Sequence, residues 1–128
     1  MAHILLIDDD ELLRDTVLQM LQRLDHRVTE AGCGEDGLKL FGAGAGIDLV
    51  ITDILMPGID GARVIVELRR RSPNVPVIAI SGGRRMLSPE FNLKTASLAG
   101  ATCELAKPFG LQDLRSALDE ALASDVRR

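Results

Sequence analysis

Several residue types that mark particular protein classes are scarce in this chain of 128 residues. It has no tryptophan or tyrosine, only three phenylalanines, and two cysteines, Cys33 and Cys103, in unrelated segments. Two isolated cysteines argue against a disulfide framework, so we expect free structural thiols and a reducing, cytoplasmic location. No apolar run reaches the roughly 18 residues of a membrane span, and the first predicted strand begins too early for a signal peptide. We therefore expect no partner in the membrane.

Positive charge is not in excess either. The chain carries 15 lysine and arginine residues against 19 aspartate and glutamate residues, a formal net charge of −4. Proteins that bind nucleic acid directly usually present a basic surface, so this balance argues against such a partner. The length suits one domain with one core, and the 46% of apolar residues is typical of a globular protein. We expect a single domain over residues 1–128.

Apolar segments alternate with amphipathic segments along the whole chain. We predict strands at about 3–8, 27–31, 48–52, 75–81 and 101–106, and helices at about 11–24, 35–42, 61–71, 89–99 and 111–124. Asp10 is the expected N-cap of the first helix. The first, third and fourth strands are nearly continuous apolar runs, as a parallel sheet covered by helices on both faces requires. The pattern predicts a doubly wound α/β domain with five parallel strands.

Polar side chains stand where four of these strands end. Asp8 and Asp9 follow the first strand, Asp53 the third, Ser81 the fourth and Lys107 the fifth. In an open α/β sheet, ligands bind outside the carboxyl ends of the strands, at the point where the strand order reverses. Each residue taken alone is more often a helix cap, a turn residue or a solvated charge. Their joint placement at one edge of the sheet indicates a functional site.

The chemistry of this set points to a metal ion and to phosphate. Three clustered carboxylates repel one another, and a hard divalent cation such as Mg²⁺, which prefers oxygen ligands, removes that conflict. The charges of three aspartates, Mg²⁺ and Lys107 sum to zero. Asp53 is a candidate carboxylate nucleophile that would form an aspartyl phosphate. Lys107 and the Ser81 hydroxyl would then contact phosphoryl oxygens.

Four motifs resemble those of the receiver domain of two-component response regulators. They are "ILLIDDD" at 4–10, "DLVITDILMPGIDG" at 48–61, "VIAISG" at 77–82 and "LAKPF" at 105–109. The second is the most specific, and the resemblance extends over essentially the whole chain. It implies a flavodoxin-like fold with strand order 2-1-3-4-5.

The resemblance also implies a role for each candidate residue. Asp53 would be the phosphorylated aspartate, and Asp9, Asp53 and the backbone carbonyl of Leu55 would bind Mg²⁺ directly. Asp8 would act through water, Ser81 would move toward the phosphoryl group, and Lys107 would bind a phosphoryl oxygen. The Lys107–Pro108 peptide bond is expected to be cis.

The resemblance further implies a phosphorylation-controlled switch rather than a turnover enzyme. The donor would be a phosphohistidine on a sensor histidine kinase or a histidine phosphotransfer protein. Phosphorylation would change the face formed by the helix predicted at 89–99, the fifth strand and the last helix, which would bind a downstream protein. Only residues 124–128 follow the last predicted helix, so we expect no output domain within the chain.

Two departures from the family pattern affect this hypothesis. Glu104 stands where many receivers have an aromatic residue, which makes the expected output face acidic at its centre. The segment after Ser81 is a few residues longer than usual and places Arg84 and Arg85 near the phosphorylation edge. Two other functions remain open: a Mg²⁺-dependent phosphohydrolase with an aspartyl nucleophile, in which Asp8 and Asp10 form the acid pair, and a docking module that is never phosphorylated.

Overall fold

The computed structural model describes residues 1–44, 46–54, 61–82 and 100–123. Within these ranges the chain forms five strands: β1 His3–Ile7, β2 Arg27–Ala31, β3 Leu49–Asp53, β4 Val77–Gly82 and β5 Cys103–Lys107. The same ranges contain four helices: α1 Glu11–Arg23, α2 Gly34–Gly42, α3 Gly61–Arg71 and α4 Leu111–Ala123. The helix predicted at 89–99 lies outside the described residues.

The five strands form one sheet in the order β2-β1-β3-β4-β5, and every neighbouring pair is parallel. The chain leaves β1 toward β2 on one side and then crosses back to β3 on the other side. The strand order therefore reverses between β1 and β3, which opens a crevice at their carboxyl ends. The predicted doubly wound α/β fold with strand order 2-1-3-4-5 is confirmed.

The central strands are buried on both faces, which explains their continuous apolar sequences. Ile4 and Leu6 of β1 face an apolar layer that includes residues of α1 and α4. Leu5 and Ile7 face a second layer that includes residues of α2 and α3. Because successive side chains of a strand point to opposite faces, a strand with a helical layer on each side needs an apolar residue at every position.

Close packing brings α2 directly against β1. Gly37 of α2 lies over Ile7, and a β-carbon at this position would be 2.4 Å from the Ile7 Cδ1 atom. Any larger residue would require the Ile7 side chain or the helix to shift. The close packing of α2 against β1 therefore depends on a glycine inside the helix.

β4 and β5 each begin two residues later than their sequence patterns predict. β4 starts at Val77 rather than 75, since Val75 still belongs to a turn in which its N–H donates to the Ser72 carbonyl at 3.3 Å. β5 starts at Cys103 rather than 101, and the Thr102 hydroxyl accepts a hydrogen bond from the Val77 N–H at 3.0 Å. At the start of β4, the Thr102 side chain thus takes the place of a backbone acceptor for the Val77 N–H. None of the helices in the described ranges is long and apolar enough to cross a bilayer.

Candidate functional site

Three carboxylates meet at the carboxyl ends of β1 and β3. Asp8, Asp9 and Asp53 each offer one oxygen, and these three oxygens lie within 4.8 Å of one another. The register pairs Ile7 with Thr52, so the residue after each of them stands at the same level of the sheet. Asp8 and Asp53 are buried, and Asp9 is partly buried. The structure therefore brings the three predicted aspartates together.

Lys107 reaches this cluster from β5, the strand at one side of the sheet. Its Nζ atom lies 3.0 Å from Asp53 Oδ2, and both side chains are largely buried. The register pairs Asp53 with Ile80 and Lys107 with Gly82, so the lysine extends across the end of β4 to reach Asp53. The Lys107–Pro108 bond is cis, as expected. The ion pair places a positive charge beside the central carboxylate.

Ser81 occupies β4, the strand between Asp53 and Lys107. Its hydroxyl oxygen is buried and has no hydrogen-bond partner among the residues that the structure describes. A buried hydroxyl without a partner is costly, so such groups are normally satisfied unless they serve a ligand. Ser81 therefore retains a donor that is available to a group bound at this edge.

Within the described residues, only one of the two carboxylate oxygens of Asp8 has a hydrogen-bond partner. Oδ1 accepts a hydrogen bond from the Asp10 N–H at 2.9 Å. Oδ2 is buried and finds no hydrogen-bond partner within the described ranges. Burial raises the pKa of Asp8 to about 6, against an ordinary value of 3.8, and the nearby Asp53 carboxylate adds to the increase. A buried carboxylate with a spare oxygen, next to two more carboxylates, fits a hard divalent cation.

The turn between β1 and α1 is fixed by its own side chains. Asp10 caps α1 as predicted, since its Oδ1 accepts from the Leu13 N–H at 3.1 Å. Arg14, one turn further on, donates from its Nη1 atom to the Asp8 carbonyl at 2.7 Å. Arg14 was not among the predicted site residues. Its position four residues after the N-cap, close to the strand end, is the pattern that could have indicated it.

Gly61, the first residue of α3, was also not among the predicted site residues. Its N–H donates to the Ile54 carbonyl at 2.8 Å, and a β-carbon here would lie 1.8 Å from the Asp53 carbonyl oxygen. Only glycine allows α3 to begin against the backbone of Asp53. The Asp60-Gly61 pair of the second motif was the available indication.

Other predicted residues lie elsewhere. Leu55, Arg84 and Arg85 are outside the described residues, so their predicted roles stay predictions. Glu104 is exposed on β5, and its pKa is raised by partial burial and by the neighbouring Glu120 carboxylate.

Neither cysteine lies in the carboxylate cluster. Cys33 and Cys103 are both free thiols. Cys103 is buried, and its Sγ donates to Glu120 Oε2 at 2.9 Å. Burial, followed by this hydrogen bond, raises the pKa of Cys103 to about 12, which keeps the thiol protonated and unreactive.

Comparisons with known proteins agree with this geometry. The sequence profile described as response regulator receiver domain matches residues 4–119. The chain is 34% identical over 125 residues to the DNA-binding transcriptional regulator NtrC of Azospirillum brasilense, covering 98% of this chain and 25% of that protein. It is 36% identical over 120 residues to the transcriptional activator protein PfeR of Pseudomonas aeruginosa, covering 94% of this chain and 37% of that protein. The chain thus spans well under two thirds of the length of these relatives.

A solved structure shows the same fold. The crystal structure of a response regulator receiver domain protein from Clostridium thermocellum superposes with a TM-score of 0.87 at 31% identity, covering 96% of this chain and 95% of that one. Sequence profile, curated relatives and solved structure all point to one family. The chain belongs to the response regulator receiver domain family.

Proposed function

We propose that the chain is a phosphorylation-controlled signalling switch in which Asp53 accepts a phosphoryl group from a phosphohistidine. The observation that carries this proposal is the pairing of Asp53 with Lys107 inside a cluster of three carboxylates. Receiver domains of two-component systems accept phosphoryl groups from histidine kinases. The donor here would be a sensor histidine kinase or a histidine phosphotransfer protein.

The residues of the site have distinct parts in this transfer. A carboxylate oxygen of Asp53 attacks phosphorus and forms an O–P bond, while the P–N bond to the donor imidazole breaks and nitrogen keeps the electron pair. Asp8, Asp9, Asp53 and the backbone carbonyl of Leu55 would hold Mg²⁺, which when bound supplies positive charge to the phosphoryl oxygens. Lys107 gives a second positive charge, with its Nζ atom 3.0 Å from Asp53 Oδ2. Preorganised charges of this kind stabilise the transition state because they need no rearrangement.

Ser81 would convert the chemical change into a structural one. Its spare hydroxyl is expected to donate to a phosphoryl oxygen on Asp53, which would favour one of two pre-existing conformations. The affected surface would be that of β5, α4 and the helix predicted at 89–99, with Glu104 at its centre. We propose that an unidentified downstream protein binds there, that residues 1–128 act as one receiver domain, and that it works in the cytoplasm.

Intact mass after incubation with acetyl phosphate and Mg²⁺ tests the proposal. We expect the parent chain to gain the mass of one phosphoryl group and the Asp53→Asn variant to gain none. Asp36→Asn is the matched control, because Asp36 is an exposed carboxylate on α2. Equal modification of the parent and the Asp53 variant, or no modification by any phosphohistidine donor, would refute the assignment.

The same preparation separates the two alternative functions. The phosphohydrolase hypothesis needs Asp10 as a second acid, yet Asp10 is exposed and its Oδ1 caps α1. That hypothesis predicts turnover of a generic phosphomonoester. The docking-module hypothesis predicts that beryllofluoride with Mg²⁺ leaves the protein unaltered. We expect no turnover of the phosphomonoester, and we expect beryllofluoride with Mg²⁺ to change the backbone NMR spectrum of the protein.

A further inference from the structure

We propose that Arg14 is a positioning residue for the metal site, acting on the backbone of Asp8 rather than on the metal or the phosphoryl group. The inference rests on the proposed function, since it concerns the same carboxylate cluster. Its basis is the hydrogen bond from Arg14 Nη1 to the Asp8 carbonyl at 2.7 Å.

The Asp8 residue is fixed at three points. Its N–H donates to the Ala31 carbonyl of β2 at 3.1 Å, its carbonyl accepts from Arg14, and its Oδ1 accepts from the Asp10 N–H. These three bonds leave Oδ2 as the oxygen that can turn to a cation. Removing the Arg14 bond would release the carbonyl and, with it, the peptide plane that leads to Asp9.

The guanidinium is itself held in place. Its Nε atom donates to Glu30 Oε1 of β2 at 3.2 Å, and the Arg14 side chain is 19% exposed. Gly32 provides the space beside it, because a β-carbon there would lie 3.3 Å from Arg14 Nη1. A planar guanidinium that is anchored at one end by a carboxylate presents its other nitrogen in a fixed direction. β2, which contributes no residue to the carboxylate cluster, thereby supports the site through Arg14.

The sign of the effect distinguishes this role from a general electrostatic one. Arg14 carries a positive charge near a site for a cation, so its charge alone opposes Mg²⁺ binding. If Arg14 acted only through charge, its removal would strengthen Mg²⁺ binding. If Arg14 positions Asp8, its removal weakens binding, because a ligand group that must be ordered on binding contributes less.

The test is a calorimetric titration of the metal-free protein with Mg²⁺, without any phosphodonor. We expect Arg14→Met to raise the dissociation constant about tenfold, as removal of groups that support metal ligands commonly does. Arg14→Lys should lose less, since lysine can still donate to the Asp8 carbonyl. Glu30→Ala, which removes the anchor and leaves Arg14 in place, should give the smallest increase. Arg70→Met is the matched control, because Arg70 pairs with Glu67 on the surface of α3 at 2.9 Å.

A melting curve of each metal-free variant separates positioning from stability. A merely structural role would lower the melting temperature and leave the dissociation constant unchanged in the folded protein. An unchanged or lowered dissociation constant in folded Arg14→Met would overturn the proposal. If that variant does not fold, unchanged values for both Arg14→Lys and Glu30→Ala would overturn it equally. Failure of the parent chain to bind Mg²⁺ would instead refute the metal site of the proposed function.

Discussion

The two edges of the sheet treat their polar groups in opposite ways. At the amino edge, formed by the starts of β1, β2 and β3, the buried His3 donates from its backbone N–H to Asp48 Oδ2 at 2.9 Å. Its ring Nε2 lies 2.7 Å from the Thr29 hydroxyl. Close by, His26 Nδ1 accepts from the Ala2 N–H at 3.0 Å. Each of these polar groups has a protein partner.

At the carboxyl edge, some hydrogen-bonding atoms have no partner within the described residues. This edge is formed by Asp8, Asp9, Asp53, Ser81 and Lys107. In the described part of the chain, Asp8 Oδ2 and Ser81 Oγ are buried without a hydrogen-bond partner. The lysine that reaches in from β5 offsets only part of the negative charge. Buried polar groups are normally hydrogen-bonded. We therefore interpret the polar groups of the amino edge as structural and those of the carboxyl edge as a candidate ligand-binding site.

The largest effect that separates the two edges is expected from Lys107→Met. In the proposed function, loss of the ammonium group would remove charge that stabilises the phosphoryl group during transfer, so phosphorylation by acetyl phosphate should slow by about 10²-fold or more. The measurement is the rate of mass increase by one phosphoryl group at saturating Mg²⁺. Lys39→Met, an exposed lysine on α2, is the control and should keep the parent rate. Equal rates for the two variants would mean that Lys107 only stabilises the fold.

Asp48→Ala should produce the opposite pattern at the amino edge. It removes the acceptor of the His3 N–H and should lower the free energy of unfolding by about 1–2 kcal/mol, because that donor loses its partner. Phosphorylation kinetics in the folded protein should not change. Urea unfolding and the mass assay measure the two quantities, and Asp48→Asn, which keeps an acceptor oxygen, is the control. A slowed phosphorylation in Asp48→Ala would show that the amino edge is coupled to the site.

The residues of the carboxyl edge could be predicted because their chemistry is visible in the sequence. Continuous apolar runs indicate buried parallel strands, and the residues that follow such runs must meet at one edge of the sheet. The prediction of this set therefore required no knowledge of packing. The set consists of Asp8, Asp9, Asp53, Ser81 and Lys107. The ranges of β2 and α3 were also predicted from the sequence, because the periodicity of their residues and the flanking residues define them.

The supporting residues were not predicted, because they act on backbone atoms and the sequence signals for them are weak. Arg14 donates to a carbonyl and Gly61 makes room for one, and any residue could supply that carbonyl. The pairing of His3 with Thr29 depends on the register of β1 against β2, which the sequence pattern did not define. The groups proposed to contact ligands could therefore be predicted from the sequence, and the groups that hold them in place were not.

The smallest effect concerns Asp8 and changes with pH. Burial raises the pKa of Asp8 to about 6 from an ordinary 3.8, so the folded protein holds this proton more tightly than the unfolded chain does. The contribution of this bound proton to the free energy of unfolding is fully present below about pH 4 and is lost as pH rises through about 6. Asp8→Asn has no proton to lose, so without metal it should exceed the parent in stability by about 1 kcal/mol near pH 7 and match it near pH 4.

Urea unfolding with a chelator over this pH range measures the difference, and Asp36→Asn controls for the loss of an exposed carboxylate. Added Mg²⁺ should reverse the order near pH 7, because only the parent offers the third carboxylate to the cation. If Asp8→Asn is instead the less stable protein without metal, then the ionised Asp8 is satisfied by the protein alone. In that case the carboxyl edge would resemble the amino edge, and the contrast between a structural edge and a ligand-binding edge would no longer hold.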